Sequence, residues 1–374
     1  MSGSRSIVGA VLRSVGDSRP YDATRPLHVE ELDLEGPRPG EVLVQIEAAG
    51  VCHSDLSVVN GSRPRPLPML LGHEAAGLVV GLGEGVDDLA IGQRVVMTFL
   101  PRCEQCDACL AGGRLPCAPG SAANGVGELI GGGSRLTQSG EPVRHHLGVS
   151  GFATYAVVDR RSVVPVGGDV PAPVAALLGC AVLTGGGAIL NAGNIQPGQD
   201  LIVVGLGGIG MAALLVGRAV GCRTIIGVDP SPQKAELAKS LGADDALTPD
   251  AAISSGVRAP VVLDATGVGR GFETAFDLTQ LGGITVTAGL PPASDVASIS
   301  PLRLTAEART VIGSYLGSSI PSRDIPRYED MWRSGRLPLE KLITRTLELD
   351  QINLAMDLLS DAAELRQVIS MPTN

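Results

Sequence analysis

Four cysteines, Cys103, Cys106, Cys109 and Cys117, stand in the spacing C-x2-C-x2-C-x7-C. Thiolates at that density suit a closed tetrahedral zinc site, which pins a loop without doing chemistry. An iron–sulfur centre is the rival, but the bacterial cluster run wants a three-residue final gap and then proline. Here the last gap is seven residues and Ala118 follows. A second set is scattered: GVCHSDL holds Cys52 and Asp55, GHEAAG holds His73 and Glu74, and GCAVLTGGG holds Cys180. A catalytic zinc keeps few protein ligands and leaves a position for water or substrate. Cys52, His73 and Cys180 can supply sulfur, nitrogen and sulfur, with Glu74 as an extra or exchangeable oxygen. Asp55 could hold the free nitrogen of His73, the carboxylate such ligands usually need. Taken alone, Cys52 reads as a small buried hydrophobe, a nucleophile or a metal ligand, and spacing does not join it to Cys180.

The third constellation is GLGGIG, with Gly205, Gly207, Gly208, Ile209 and Gly210. It follows an apolar run, opens a helix-like segment and is trailed by Asp229. Such glycines permit a tight turn and let backbone N–H groups approach a pyrophosphate at a helix N-terminus. Asp229 would accept hydrogen bonds from the adenosine ribose and repel a 2′-phosphate, which favours NAD over NADP. The near-misses GLGEG (81–85) and GVGELIG (125–131) show that the glycines alone decide little.

These residues need elements to hold them. Residues 1–180 are strand-rich: EVLVQI, AGLVVGLG, QRVVMTFL and ATYAVV lie between Gly/Pro turns, so Cys52 falls where a strand ends. Residues 118–150 have little periodicity and read as a long irregular excursion. Near residue 200 the pattern changes. LIVVG, TIIGVD, VVLDATG, ITVTAG and TVIGS read as strands, with helix-like segments to Val220, in SPQKAELAKSLG (Ser231 as N-cap, Gly242 as stop) and in FETAFDLTQLGG. That alternation means a doubly wound parallel sheet. Two helix-like pieces, PRYEDMWRSG and DQINLAMDLLSD, and a last strand, RQVIS, follow.

The chain has 374 residues, 44% hydrophobic and 18% charged, which is enough for two domains with their own cores. A net charge of -10 argues against a nucleic-acid partner. No apolar run reaches membrane-spanning length, so no span is expected. The start lacks a signal-peptide pattern, and a cytoplasmic location is expected. Seven cysteines suit metal or catalytic chemistry better than disulfides. Cys222 reads as core.

These signals, in this order, closely resemble the zinc-dependent medium-chain alcohol dehydrogenases over nearly the whole chain. The likeness is to the long, dimeric branch that holds the liver-type and class III enzymes. GVCHSD, GHExxG, the four-cysteine lobe and GC-x3-TG carry it, with VRHHLGVSGFATYAVV. The resemblance implies an α/β protein. A GroES-like, β-rich catalytic domain would span 1–181 and 316–374, and a Rossmann NAD-binding domain 182–315. It implies a catalytic zinc on Cys52, His73 and Cys180 with Glu74 nearby, and a structural zinc on the four-cysteine lobe. Ser54 would handle the substrate proton. His53, Thr184, Ile209, Asp229, Lys234 and Arg366 would contact NAD, with Arg366 at the pyrophosphate. Phe99, His146, Leu147 and Leu290 would line the substrate pocket. Zinc would polarise an alcohol whose hydride passes reversibly to NAD, giving an aldehyde or ketone, and the chain would form a homodimer.

The chain departs from the pattern. The histidine that ends the liver-type proton relay is replaced by Ser57. An aromatic pocket position is His146. The class III arginine that helps bind the glutathione carboxylate is Ser121, and the acidic residue of that class aligns near Arg63. These changes count against glutathione adducts, although a thiol-adduct formaldehyde dehydrogenase stays the first alternative. A relative with permanently bound nicotinamide and an external electron acceptor is a second. An inactive zinc protein is disfavoured because Cys52, Ser54, His73 and Cys180 are all present.

Overall fold

The computed structural model describes residues 4–372. Two compact units emerge. The first comprises residues up to Cys180 together with those from Ile343 onward, and the second is Ala181–Leu342. The return to the first unit thus falls at Ile343, later than the 316 expected from the resemblance. The reason is local packing. Helix Pro321–Arg333 stays with the second unit, where Asp324 accepts from Asn191 (3.2 Å) and Tyr328 is buried.

In the first unit, strands Arg5–Leu12, Leu27–Leu34, Leu136–Gln138, Glu141–His145 and Met69–Leu70 close a barrel. Its core is Ile7, Val11, Leu32, Leu34, Leu70, Leu136 and Val143 among others. Each such side chain contributes about 1.5–3 kcal/mol on burial. Residues 118–150 are therefore not the irregular excursion expected. They hold helix Ala118–Val126 and two of the barrel strands, which are too short to show alternation. A second sheet runs Val163–Pro165, Arg94–Met97, Ala75–Leu82, Glu41–Val51, Arg366–Ser370 and Ile343–Glu348, with Tyr155–Asp159 also on Glu41–Val51. The last strand pairs antiparallel with the end of Glu41–Val51, Gln367 opposite Val51. That register carries Arg366 to the neighbourhood of Cys52.

The second unit is a six-stranded parallel sheet. Its order is Asp245–Leu247, Ile225–Val228, Leu201–Val204, Ala259–Asp264, Thr279–Thr287, Thr310–Gly313. This is the doubly wound dinucleotide-binding order. Ser231 caps helix Pro232–Ser240 by accepting the Lys234 N–H, as its position predicts.

One helix, Ala172–Ala192, is uncharged over 21 residues and long and apolar enough to cross a membrane, its most apolar 18-residue window having a mean hydropathy of 1.9. The sequence reading missed it because Pro, Thr and Gly interrupt the apolar run. Its most apolar window is 89% buried inside the protein, which makes it a core helix.

Candidate functional site

Cys52 ends strand Glu41–Val51 and heads the short helix His53–Val59. Asp55, on the first turn of that helix, closes the cap: its Oδ2 accepts the Cys52 N–H at 3.2 Å. Asp55 Oδ1 lies 2.9 Å from Nδ1 of His73. The other ring nitrogen, Nε2, is left to face Cys180 Sγ at 3.5 Å. Cys180 sits in a π-helical segment, Leu178–Val182, of the long apolar helix. Such bulges are frequent at functional sites. The ligand atoms of Cys52, His73, Glu74 and Cys180 all lie within 4.8 Å of one another, and all four residues are buried.

The chemistry of this set fits a metal. Two thiols and an imidazole are sealed from solvent with their nitrogen and sulfur atoms converging. Cys52 is held well below the usual thiol range by its hydrogen bond with Cys180 and by His73. Burial alone would raise Asp55, but His73 and His146 outweigh it and keep the carboxyl ionised. The carboxylate therefore fixes His73 with its proton on Nδ1 and Nε2 free to ligate.

Glu74 Oε1 pairs with the Arg366 guanidinium, while Oε2 is buried with no partner. Burial raises Glu74 despite that cation. An orphaned buried oxygen beside two thiols and an imidazole suits an extra or exchangeable metal ligand. Gly50 permits this geometry. A Cβ there would lie 2.4 Å from Glu74 Oε1.

The four-cysteine lobe is assembled within the same unit, its sulfurs again within 4.8 Å of one another. Cys106 Sγ is 3.6 Å from Cys109 Sγ and 4.0 Å from Cys117 Sγ. A tetrahedron with Zn–S bonds of about 2.3 Å has edges of about 3.8 Å, so the lobe matches a single ion. Backbone N–H groups already point at the sulfurs. Cys117 Sγ accepts from Cys103 at 3.3 Å and Gly120 at 3.4 Å, and Cys103 Sγ accepts from Cys106 at 3.3 Å. The backbone N–H groups of Cys109 and Ala118 lower Cys106 to about 6.

In the second unit, Gly205 (φ +92°) turns the chain out of strand Leu201–Val204, and Gly207 caps helix Gly208–Ala219. A Cβ on Gly210 would lie 1.9 Å from the Gly205 carbonyl oxygen, so only glycine lets the turn close this tightly. Asp229, at the end of the neighbouring strand, accepts from the Leu206 N–H and the Ser231 N–H, both at 2.9 Å. Lys234 Nζ stands 3.9 Å from its Oδ2. Thr184 is buried in this unit, and Ile209 is half-buried at the start of the glycine-loop helix.

Comparison with known proteins agrees with this geometry. Residues 38–168 match the alcohol dehydrogenase GroES-like domain, and residues 208–333 the zinc-binding dehydrogenase family. S-(hydroxymethyl)glutathione dehydrogenase of Paracoccus denitrificans is 34% identical, over 93% of this chain and 97% of that one. The chain belongs to the zinc-dependent medium-chain alcohol dehydrogenases. Its fold agrees. A solved alcohol dehydrogenase zinc-binding domain protein from Burkholderia ambifaria is 31% identical, with a TM-score of 0.92, covering 99% of this chain and all of that one. Benzyl alcohol dehydrogenase from Acinetobacter calcoaceticus is 29% identical with a TM-score of 0.90, covering 98% and 100%.

The structure gives each remaining expected residue of this dehydrogenase its own surroundings. Arg366 is buried and paired with Glu74, a partner that lies too far away in sequence to be foreseen. Leu290 is in the second unit and 51% exposed, whereas Phe99, His146 and Leu147 are buried in the first. Phe99 and His146 both meet His73 edge-on, with ring centroids at 5.5 and 5.6 Å. His146 Nδ1 also lies 3.2 Å from Asp55 Oδ1, although too poorly aligned for a hydrogen bond. That proximity had no sequence signal. Ser54 is half-buried on the first turn beside Cys52, and His53 is exposed. Ser57 Oγ donates to the His53 carbonyl at 2.8 Å, so its hydroxyl is occupied by backbone. Cys222 is core, and burial raises it to about 11.

Proposed function

We propose that this dehydrogenase oxidises a small alcohol to an aldehyde or ketone with NAD, reversibly, and holds two zinc ions. One would sit on Cys52, His73 and Cys180 with Glu74 in reserve, the other on Cys103, Cys106, Cys109 and Cys117. The observation that carries this reading is the convergence of Cys52, His73, Glu74 and Cys180 within 4.8 Å, with Asp55 behind His73. When bound, zinc supplies Lewis-acid stabilisation of an alcohol oxygen and nicotinamide supplies the hydride acceptor.

The chain's own residues do the rest. Asp55 holds His73 in one tautomer, and its charge keeps the ring electron-rich. Ser54, two residues after Cys52 on a helix that Asp55 caps, is the hydroxyl assigned to take the substrate proton onward. With Ser57 occupied by a backbone carbonyl, that proton leaves Ser54 without help from the Ser57 side chain. Gly205 and Gly210 let the turn close, Gly207 faces open space where a pyrophosphate would lie, and Asp229 with Lys234 receives the adenosine ribose.

The name of the Paracoccus relative favours a second reading, oxidation of a thiol–formaldehyde adduct. Ser121 and Arg63 weigh against glutathione as the carrier. The chain is further proposed to act as a cytoplasmic homodimer with no nucleic-acid or membrane partner. Its support is the acidic charge, the free thiols and the open edge strand Thr310–Gly313.

The test is nicotinamide reduction by the zinc-loaded protein across primary, secondary and aromatic alcohols, with NAD and NADP in parallel. Formaldehyde with and without small thiols completes the panel. Turnover of a plain alcohol with NAD is expected. Activity confined to formaldehyde plus thiol would replace the first reading with the second. Silence throughout, with nicotinamide released on denaturation, would point instead to a permanently bound cofactor.

A further inference from the structure

The second unit carries an open surface pocket of about 490 Å³ whose walls include Arg258, Thr279, Gln280, Arg303, Glu307 and Arg309. Arg258 directly precedes strand Ala259–Asp264, Thr279 opens Thr279–Thr287, and Arg309 directly precedes Thr310–Gly313. These strands are parallel. The pocket therefore lies at the N-terminal edge of the sheet. The glycine loop Gly205–Gly210 leaves from the C-terminal edge, so the pocket is a separate place.

Three guanidinium groups meet there against two carboxylates. Arg303 pairs with Asp277 and Glu307, and Arg309 with Glu307. Arg303 and Arg309 also lie over the Phe276 ring, 5.3 and 5.0 Å from its centroid. Arg258 is in no ion pair among the described residues; its Nη1 donates only to the adjacent Val257 carbonyl at 2.7 Å. One positive charge is left over. Arg309 is 8% exposed; its Nη1 donates to the Phe276 carbonyl and its Nη2 pairs with Glu307, while its Nε is buried without a partner. Burial lowers its pKa, Glu307 partly offsets that, and Arg303 and Arg258 add to the lowering. Like charges held this close are relieved by an oxyanion, and guanidinium forks match phosphate oxygens in pairs. Glu307 does not oppose such a ligand strongly, because both neighbouring arginines already neutralise it.

We propose that this pocket binds a small phosphate-bearing molecule through Arg258 and Arg303, with the buried charge of Arg309 behind them, independently of the dinucleotide loop. The experiment is calorimetric titration of the full chain with pyrophosphate, at ionic strength held constant with sodium chloride and with NAD present in excess. Saturable binding is expected. Arg258→Ala, at an exposed position that does not threaten folding, should weaken it about tenfold or more, as for loss of one charged hydrogen-bond donor. Arg345→Ala, which removes an exposed pair with Glu364 in the other unit, should leave it unchanged. Absence of saturable binding, displacement by NAD, or equal affinity in Arg258→Ala would overturn the proposal. Equal affinity for succinate would overturn the choice of phosphate over carboxylate.

Discussion

Nδ1 of His73 stands 2.9 Å from Oδ1 of Asp55, with both side chains sealed from solvent. Asp55 thus orients a ring whose other nitrogen faces Cys180, while capping the helix that begins at Cys52. Asp55→Asn keeps the shape and removes the charge. Metal affinity at this site should fall about 10–100-fold, read as zinc retained after dialysis against graded chelator. The four-cysteine lobe should keep its zinc in the same experiment, so total content drops by half and not to zero.

Glu74 and Arg366 form a buried ion pair brought together by the last strand. Removing one partner of such a pair strands the other charge, at about 3–5 kcal/mol. Glu74→Gln should therefore lower the urea midpoint substantially. Adding Arg366→Met to it should recover much of the loss. If the double variant is no more stable than the single, the pair is not what stabilises this corner. Gly50→Ala should behave like a milder Glu74 variant, about 1–3 kcal/mol, since its new methyl would meet Glu74 Oε1.

Much of this was legible in the sequence. The cysteine lobe and the strand–GLGGIG–helix unit are local, so spacing alone defines them. The Asp55–His73 contact followed from what a ligating imidazole needs. The Glu74–Arg366 pair was not legible. It depends on the register of Arg366–Ser370 against Glu41–Val51, which joins residues almost 300 positions apart. The barrel strands within 118–150 were missed because three to five residues carry no readable alternation. The return point at Ile343 depends on packing within the second unit, where no motif speaks.

The lobe predicts its own phenotype. Cys106→Ser removes the thiol that backbone donors hold lowest, at about 6. Zinc content should fall by one ion, and segment 103–117 should become sensitive to limited proteolysis while the first catalytic-set zinc remains. Unchanged protease resistance would mean that the lobe is held by packing alone.

Asp229 uses both carboxylate oxygens on the backbone N–H groups of Leu206 and Ser231. It therefore shapes the turn as well as carrying charge. Asp229→Asn should raise the KM for NAD about tenfold or more, from loss of a charged acceptor, and narrow the preference over NADP. An unchanged ratio of kcat/KM for the two cofactors would remove Asp229 from cofactor selection.

His145 gives a pH signature distinct from the metal set. It is buried, its Nε2 accepts the Arg135 N–H at 3.1 Å, and its Nδ1 has no partner. Burial and then the Arg135 cation lower it to about 3. Arg135 is itself paired with Glu41, at 2.5 Å. The folded state therefore keeps the ring neutral where the unfolded chain, with its ordinary value near 6.5, takes up a proton. Stability from this residue is full above about pH 6.5 and is lost progressively toward about pH 3, by an amount on the order of a few kcal/mol. His145→Gln offers an acceptor that does not titrate. Urea midpoints of the two proteins should run parallel above about pH 7 and separate below about pH 6, with the wild type falling faster. Parallel curves down to about pH 4 would show that His145 is not the group that proton uptake strains.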